Sequence, residues 1–239
     1  MPTIFGISHL LFLFISTALI VIGLMVIKKY VKTKRVENVI LISTASVLVF
    51  LIILNRISIT FWNPDGIDYT ELAPMTLCGM TSLLFAISTL AFVKKQNHPV
   101  FHFLIYIAIV GGIANNVYPD YIGQASSIFH SRTITGLLHH TVSMFLGMLM
   151  IMNGQFKPAL KQAHWMPLGL FFYTSLGLFY TQVFSPSPRN TMNIAQPIVP
   201  GLYWYILYAL AIVAHYLMLY IFEITKKKRG ISYDSMEND

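Results

Sequence analysis

The run LLFLFISTALIVIGLMVI, residues 10–27, is followed at once by KKYVKTKR, residues 28–35. The first string carries no charge over eighteen residues. As a helix rising 1.5 Å per residue it covers about 27 Å, close to the hydrocarbon thickness of a bilayer. The second string places five Lys and Arg within eight residues, the mark of a cytoplasmic loop rather than of a nucleic-acid surface. No Lys or Arg precedes the apolar run, which is the reverse of a secretory leader.

The same alternation continues along the chain. Of 239 residues, 56% are hydrophobic and only 10% charged, with a mean hydropathy of +0.65. Soluble domains carry about 25% charged residues, so this composition excludes an ordinary soluble fold. Seven apolar runs are long enough to span: about 10–27, 39–61, 72–93, 100–118, 133–152, 166–184 and 201–224. None reads as a strand series, and only helices or closed barrels satisfy the backbone in lipid. The expected fold is all-α: one seven-helix membrane domain over 1–229, with a short polar tail at 230–239.

Charge placement sets the expected orientation. Blocks follow the first, third, fifth and seventh runs and hold 13 of the 16 Lys and Arg, leaving Arg56, Arg132 and Arg189. Asp65, Asp68, Glu71 and Asp120 fall on the other side. The N-terminus is therefore expected outside and the C-terminus in the cytoplasm, in a multi-pass arrangement in the cell membrane. Nucleic acid is not an expected partner; membrane lipids are. A single cysteine allows no internal disulfide.

Polar groups within apolar runs are costly and face protein or water. Cys78, the only cysteine, follows an acidic loop and lies about seven residues into the third run. Alone it reads as a small packed hydrophobe. Gly79, Ser82, Ala86 and Thr89 form a stripe of small residues beside it, which turns it toward protein. His139 and His140 lie at a similar depth in the fifth run. Gly136, His140, Ser143 and Gly147 share one face, so His140 is the expected interior histidine, with His139 either its support or turned to a neighbouring helix.

Arg56, beside Asn55, lies about a turn and a half inside the second run. Its guanidinium either reaches the outer headgroups or grips a phosphate or carboxylate. Asn115 and Asn116 sit just inside the end of the fourth run, with Asp120 beyond them at the surface. Asn190 belongs to the proline-containing connector before the last run. His9 and Gln182 read as interfacial side chains. The sequence holds no metal-ligand pair of histidines at i, i+4, no glycine-rich phosphate loop and no nucleophile elbow. No cofactor and no metal are expected.

Pro74–Cys78 (Pro-x-x-x-Cys, with Leu77 before the cysteine), the corner Tyr118-Pro119-Asp120, the histidine-bearing run after Phe129-His130, and Asn190-Thr191-Met192 followed by Pro197 resemble YwaF-type bacterial integral membrane proteins. The resemblance runs from the second apolar run to the seventh. That family is related to transmembrane protein 164, an acyltransferase acting on lysophospholipids through a cysteine and a histidine. The resemblance implies Cys78 as nucleophile and His140 as base. On the acyl-transfer reading Arg56 is expected to hold the phosphate of a phospholipid or lysophospholipid and Asn115 or Asn116 to donate to the oxyanion, with Asp120, His139 and Asn190 as further expected substrate contacts. The family pattern has a histidine two residues before the cysteine, where this chain has Thr76. If that histidine only caps the helix, a threonine can take its place. The competing expectation is a non-catalytic membrane protein that binds or transports a small anionic solute or lipid.

Overall fold

The computed structural model describes residues 1–62, 66–73, 76–119, 121–183 and 204–228. Among them are seven α-helices and no strand: α1 Ile7–Tyr30, α2 Lys34–Phe61, α3 Leu77–Phe92, α4 Phe101–Val117, α5 Ser131–Met152, α6 Trp165–Val183 and α7 Trp204–Lys228. The all-α class is as the apolar runs require. The expected tail at 230–239, the connector bearing Asn190, and Asp120 lie outside the described residues.

Four helices, α1, α2, α5 and α7, are long and apolar enough to cross a bilayer. α3 and α4 are apolar but short, with 16 and 17 residues, or about 24–26 Å. The third apolar run is therefore not one continuous helix. Tyr69–Leu72 forms a 3-10 turn, and α3 starts only at Leu77. Thr76 decides that start: its Oγ1 accepts the Gly79 amide at 3.1 Å, an N-cap on one of the four donors a helix start leaves unpaired. Cys78 is thus the second residue of its helix, not a residue seven positions deep.

α5 is the centre of the bundle. It packs most extensively on α4 and α2, and more lightly on α3 and α1. Its buried residues include Thr133, Thr135, Gly136, His139, His140, Ser143 and Gly147. α1 and α7 are peripheral and leave most of their apolar surface outward, as helices in lipid do. Gly112 makes the close α4–α5 approach possible, since a Cβ there would meet the His140 carbonyl oxygen and Met144 Cβ, both at 2.9 Å.

Successive helices alternate in direction, and long-range hydrogen bonds fix which ends meet. At one end Asn55, late in α2, donates through Nδ2 to the Arg132 carbonyl (3.2 Å) and to Thr135 Oγ1 (3.1 Å), early in α5. Asn116, late in α4, donates to Thr141 Oγ1 at 3.0 Å. At the other end buried Gln155 donates through Nε2 to the carbonyls of Val93 (2.7 Å) and Lys95 (3.2 Å), and its backbone carbonyl accepts the Asn97 amide (2.8 Å). The lysine-bearing loops after α3 and α5 are therefore tied together at the end opposite Cys78.

Candidate functional site

α3 and α5 run in the same direction, and one hydrogen bond sets their register. Ser82 Oγ and Ser143 Oγ are 3.2 Å apart and buried at 2% and 1% exposure. One turn nearer the helix starts, this register puts Cys78 and Gly79 of α3 level with His139 and His140 of α5. Sequence depth alone pairs the cysteine with the histidines only loosely; the serine contact makes the pairing a matter of helical geometry.

Cys78 Sγ accepts a hydrogen bond from Asn115 Nδ2 at 3.2 Å. Asn115 is held in turn by the Gly111 carbonyl at 3.1 Å, one turn earlier in α4. Gly111 leaves the space the sulfur occupies, because a Cβ there would lie 3.1 Å from Sγ. The thiol has a donor aimed at it, and it sits in the first turn of α3, where the helix dipole is positive. Tyr173 of α6, fully buried, lies within electrostatic range of Cys78 and closes the wall beside Met80 and Leu77. Nothing in the sequence marked Tyr173, since one tyrosine among the aromatics of an apolar helix reads as packing.

The two histidines differ. Their ring centroids lie 4.0 Å apart with the planes tilted by 37°, and both residues are 5% exposed. His139 Nδ1 donates to the Thr135 carbonyl at 3.1 Å, which fixes the neutral ring's tautomer and leaves Nε2 as a bare acceptor. That Nε2 is buried with no partner among the described residues. No hydrogen bond orients the His140 ring among the described residues. The orienting contact thus falls on His139, expected as the support, and not on His140, expected as the base. Neither ring hydrogen-bonds Cys78, whose partner is Asn115.

The two asparagines point apart, as adjacent helix residues do. Asn116 faces α5 and α1, and its carbonyl accepts a 2.8 Å hydrogen bond from His9 Nε2. His9 is fully buried, and its Nδ1 accepts the Phe5 amide at 3.0 Å. It clasps α1 to the end of α4 and is not interfacial as its sequence position suggests. Asn116 belongs to that clasp, and only Asn115 reaches the thiol.

Arg56 does not reach freely to the surface: its side chain is 12% exposed. It donates to Asn55 Oδ1 at 2.9 Å and lies 3.6 Å from a Glu71 carboxylate oxygen. It is also within electrostatic range of His139, His140 and Arg132. Asp120 and Asn190, the other expected contacts, fall outside the described residues. Among the described residues no three His, Cys, Asp or Glu side chains converge as a metal set. An apolar cleft of about 640 Å³ lies between α1 and α5, lined by Leu11, Phe12, Ile15, Phe129, Leu138 and Phe145. Neither Cys78 nor the histidine pair lines it.

No curated protein and no solved structure matches this chain. The TMEM164 family model does, over residues 4–223, which takes in every described helix but the last turn of α7. The chain, with its apolar helices and buried polar end, belongs to the TMEM164 family of membrane proteins.

Proposed function

We propose that the chain is an integral membrane acyltransferase that moves acyl chains of phospholipids or lysophospholipids through a thioester on Cys78. The observation that carries this reading is the thiol held by Asn115 on a helix in register with the histidine pair. In the first step a histidine takes the thiol proton and the sulfur attacks the ester carbonyl. The C–O bond breaks, and the lysophospholipid hydroxyl leaves with that proton. In the second step the histidine takes the proton of an acceptor hydroxyl, whose oxygen attacks the thioester and releases the thiolate. With water as acceptor the same steps constitute a lipase. The tautomer of His139, with Nε2 bare, supports it over His140 as the acceptor. Asn115 Nδ2 is placed to donate to negative charge on sulfur or on the adjacent oxyanion.

Seven membrane crossings, an outer N-terminus and a cytoplasmic C-terminus complete the proposal, supported by the lysine-bearing loops opposite Cys78.

The test is intact-protein mass spectrometry after incubation with phospholipid. A hydroxylamine-sensitive acyl mass that disappears in Cys78→Ser is expected. Absence of any adduct, with a thiol unreactive even to a small lipid-soluble probe, sinks the covalent reading. The second reading, a non-catalytic binder of an anionic solute or lipid, is favoured by one observation: the thiol's hydrogen-bond partner is an amide and not an imidazole.

A further inference from the structure

Asn55 and Arg56 of α2 join two segments that lie on either side of them. The Asn55 side chain is buried, and its amide is used at both ends. Nδ2 donates to the Arg132 backbone carbonyl at 3.2 Å and to Thr135 Oγ1 at 3.1 Å, both near the start of α5. Oδ1 accepts from Arg56 Nη2 at 2.9 Å. A guanidinium can only donate and a backbone carbonyl can only accept, so these partners allow the amide one orientation.

Thr135 carries the connection on to His139. Its hydroxyl accepts from Asn55 and donates to the Ser131 carbonyl at 2.6 Å, while its backbone carbonyl accepts from His139 Nδ1 at 3.1 Å. The turn of α5 that Asn55 grips is therefore the turn that sets the His139 ring. On the other side Arg56 Nη1 lies 3.6 Å from a Glu71 carboxylate oxygen, in the 3-10 turn Tyr69–Leu72 that precedes α3 and Cys78. The chain just before that turn is hung from the end of α2, with the Asp68 amide donating to the Thr60 carbonyl at 3.3 Å. Both terminal nitrogens of Arg56 thus face protein groups. Paired polar networks of this kind rigidify the segments they join.

We propose that Asn55 and Arg56 are positioning residues. They hold the first turns of α5 so that His139 keeps its proton on Nδ1 and presents Nε2, and they tie that helix to the segment leading into α3. The Arg56 guanidinium is engaged in this link and does not grip a substrate phosphate. What the positioning serves rests on the acyl-transfer reading; the link between Asn55 and the His139 ring does not.

The test is nitrogen NMR of the full chain in non-ionic detergent with isotope-labelled histidine, beside the decay of the Cys78 acyl adduct. In wild type the His139 resonances, identified by their loss in His139→Gln, are expected to show one tautomer, protonated at Nδ1. Asn55→Asp keeps the acceptor for Arg56 and removes both donors to α5 at nearly unchanged volume. Thr135→Val removes only the hydroxyl, keeps the carbonyl, and reads the same link should Asn55→Asp fail to fold. Both should mix the His139 tautomers and slow adduct turnover about ten- to a hundredfold, the scale of a reacting group misplaced by about 1 Å. Arg56→Gln should slow turnover with KM for lysophosphatidylglycerol unchanged. A KM that rises for lysophosphatidylglycerol and not for a neutral monoacylglycerol makes Arg56 a phosphate anchor and overturns its part. A single Nδ1-protonated His139 in both Asn55→Asp and Thr135→Val, or unchanged turnover of an adduct that wild type forms, overturns the proposal. A wild type without adduct, whose His139 tautomer still mixes in Asn55→Asp, removes the acyl-transfer reading and upholds the positioning link, so the two fail separately.

Discussion

Ser82 Oγ and Ser143 Oγ meet at 3.2 Å across the α3–α5 interface, and this contact places Cys78 at the level of the histidine pair. A buried hydroxyl pair between apolar helices contributes about 0.6 kcal/mol on average in membrane proteins. Ser82→Ala or Ser143→Ala should therefore lower thermal stability in detergent only slightly. Ser82→Leu should act differently, since a bulky side chain on a small-residue face forces the helices apart. Loss of thiol acylation in Ser82→Leu, with Ser82→Ala near wild type, is the expected pattern; equal acylation in both would remove register from the argument.

Asn115 and Asn116 should separate cleanly. Asn115→Ala removes the donor at Cys78 Sγ, and oxyanion-type donors are worth about a hundredfold to a thousandfold in rate. Asn116→Ala removes a hydrogen bond to Thr141 but spares the backbone carbonyl that His9 caps, at a cost of about 1 kcal/mol in stability. Transfer rates alongside melting curves should show a rate defect in the first and a stability defect in the second.

The histidines make a similar pair. His139→Ala is expected to abolish turnover of the Cys78 acyl adduct, because its Nε2 is the bare, oriented nitrogen. His140→Ala should leave more residual turnover. The reverse ranking, measured by adduct decay in the mass spectrum, would return the base to His140.

Glycines 111 and 112 divide site from scaffold. Gly112→Ala sets a methyl 2.9 Å from a backbone oxygen and a Cβ of α5, atoms that cannot move without shifting the helix, so about 1–3 kcal/mol of stability should be lost. Gly111→Ala sets it 3.1 Å from Sγ alone. Slower reaction of Cys78 with a lipid-soluble thiol probe, at nearly unchanged melting temperature, is the expected result for Gly111→Ala.

His9→Leu should loosen α1. It removes both the acceptor for the Phe5 amide and the donor to the Asn116 carbonyl, leaving two backbone groups unpaired at about 1–3 kcal/mol each. Faster proteolysis within residues 1–30 is expected, with α5 still protected; identical cleavage in mutant and wild type would assign the clasp no role in stability.

The sequence by itself determined the membrane class, the all-α architecture and the end of the bundle at which the polar residues gather. These follow from hydrophobic run length and lysine placement, which are one-dimensional quantities set by lipid thickness and the cost of moving charge. Tertiary structure decided everything that depends on the azimuth of a side chain about its helix or on a partner far along the chain. Asn115 and Asn116 are neighbours in sequence, yet one meets a thiol and the other a threonine. His139 and His140 share a depth, yet only one has a carbonyl to orient it. Arg56 reads as a lone guanidinium until Glu71 arrives 3.6 Å away and Asn55 ties it to the start of α5. The start of α3 also moved, because an N-cap at Thr76 outweighs the apolar run that precedes it. A periodic pattern reports how much of a helix is buried; it does not report which neighbour does the burying, and hydrogen-bond chemistry is set by the neighbour.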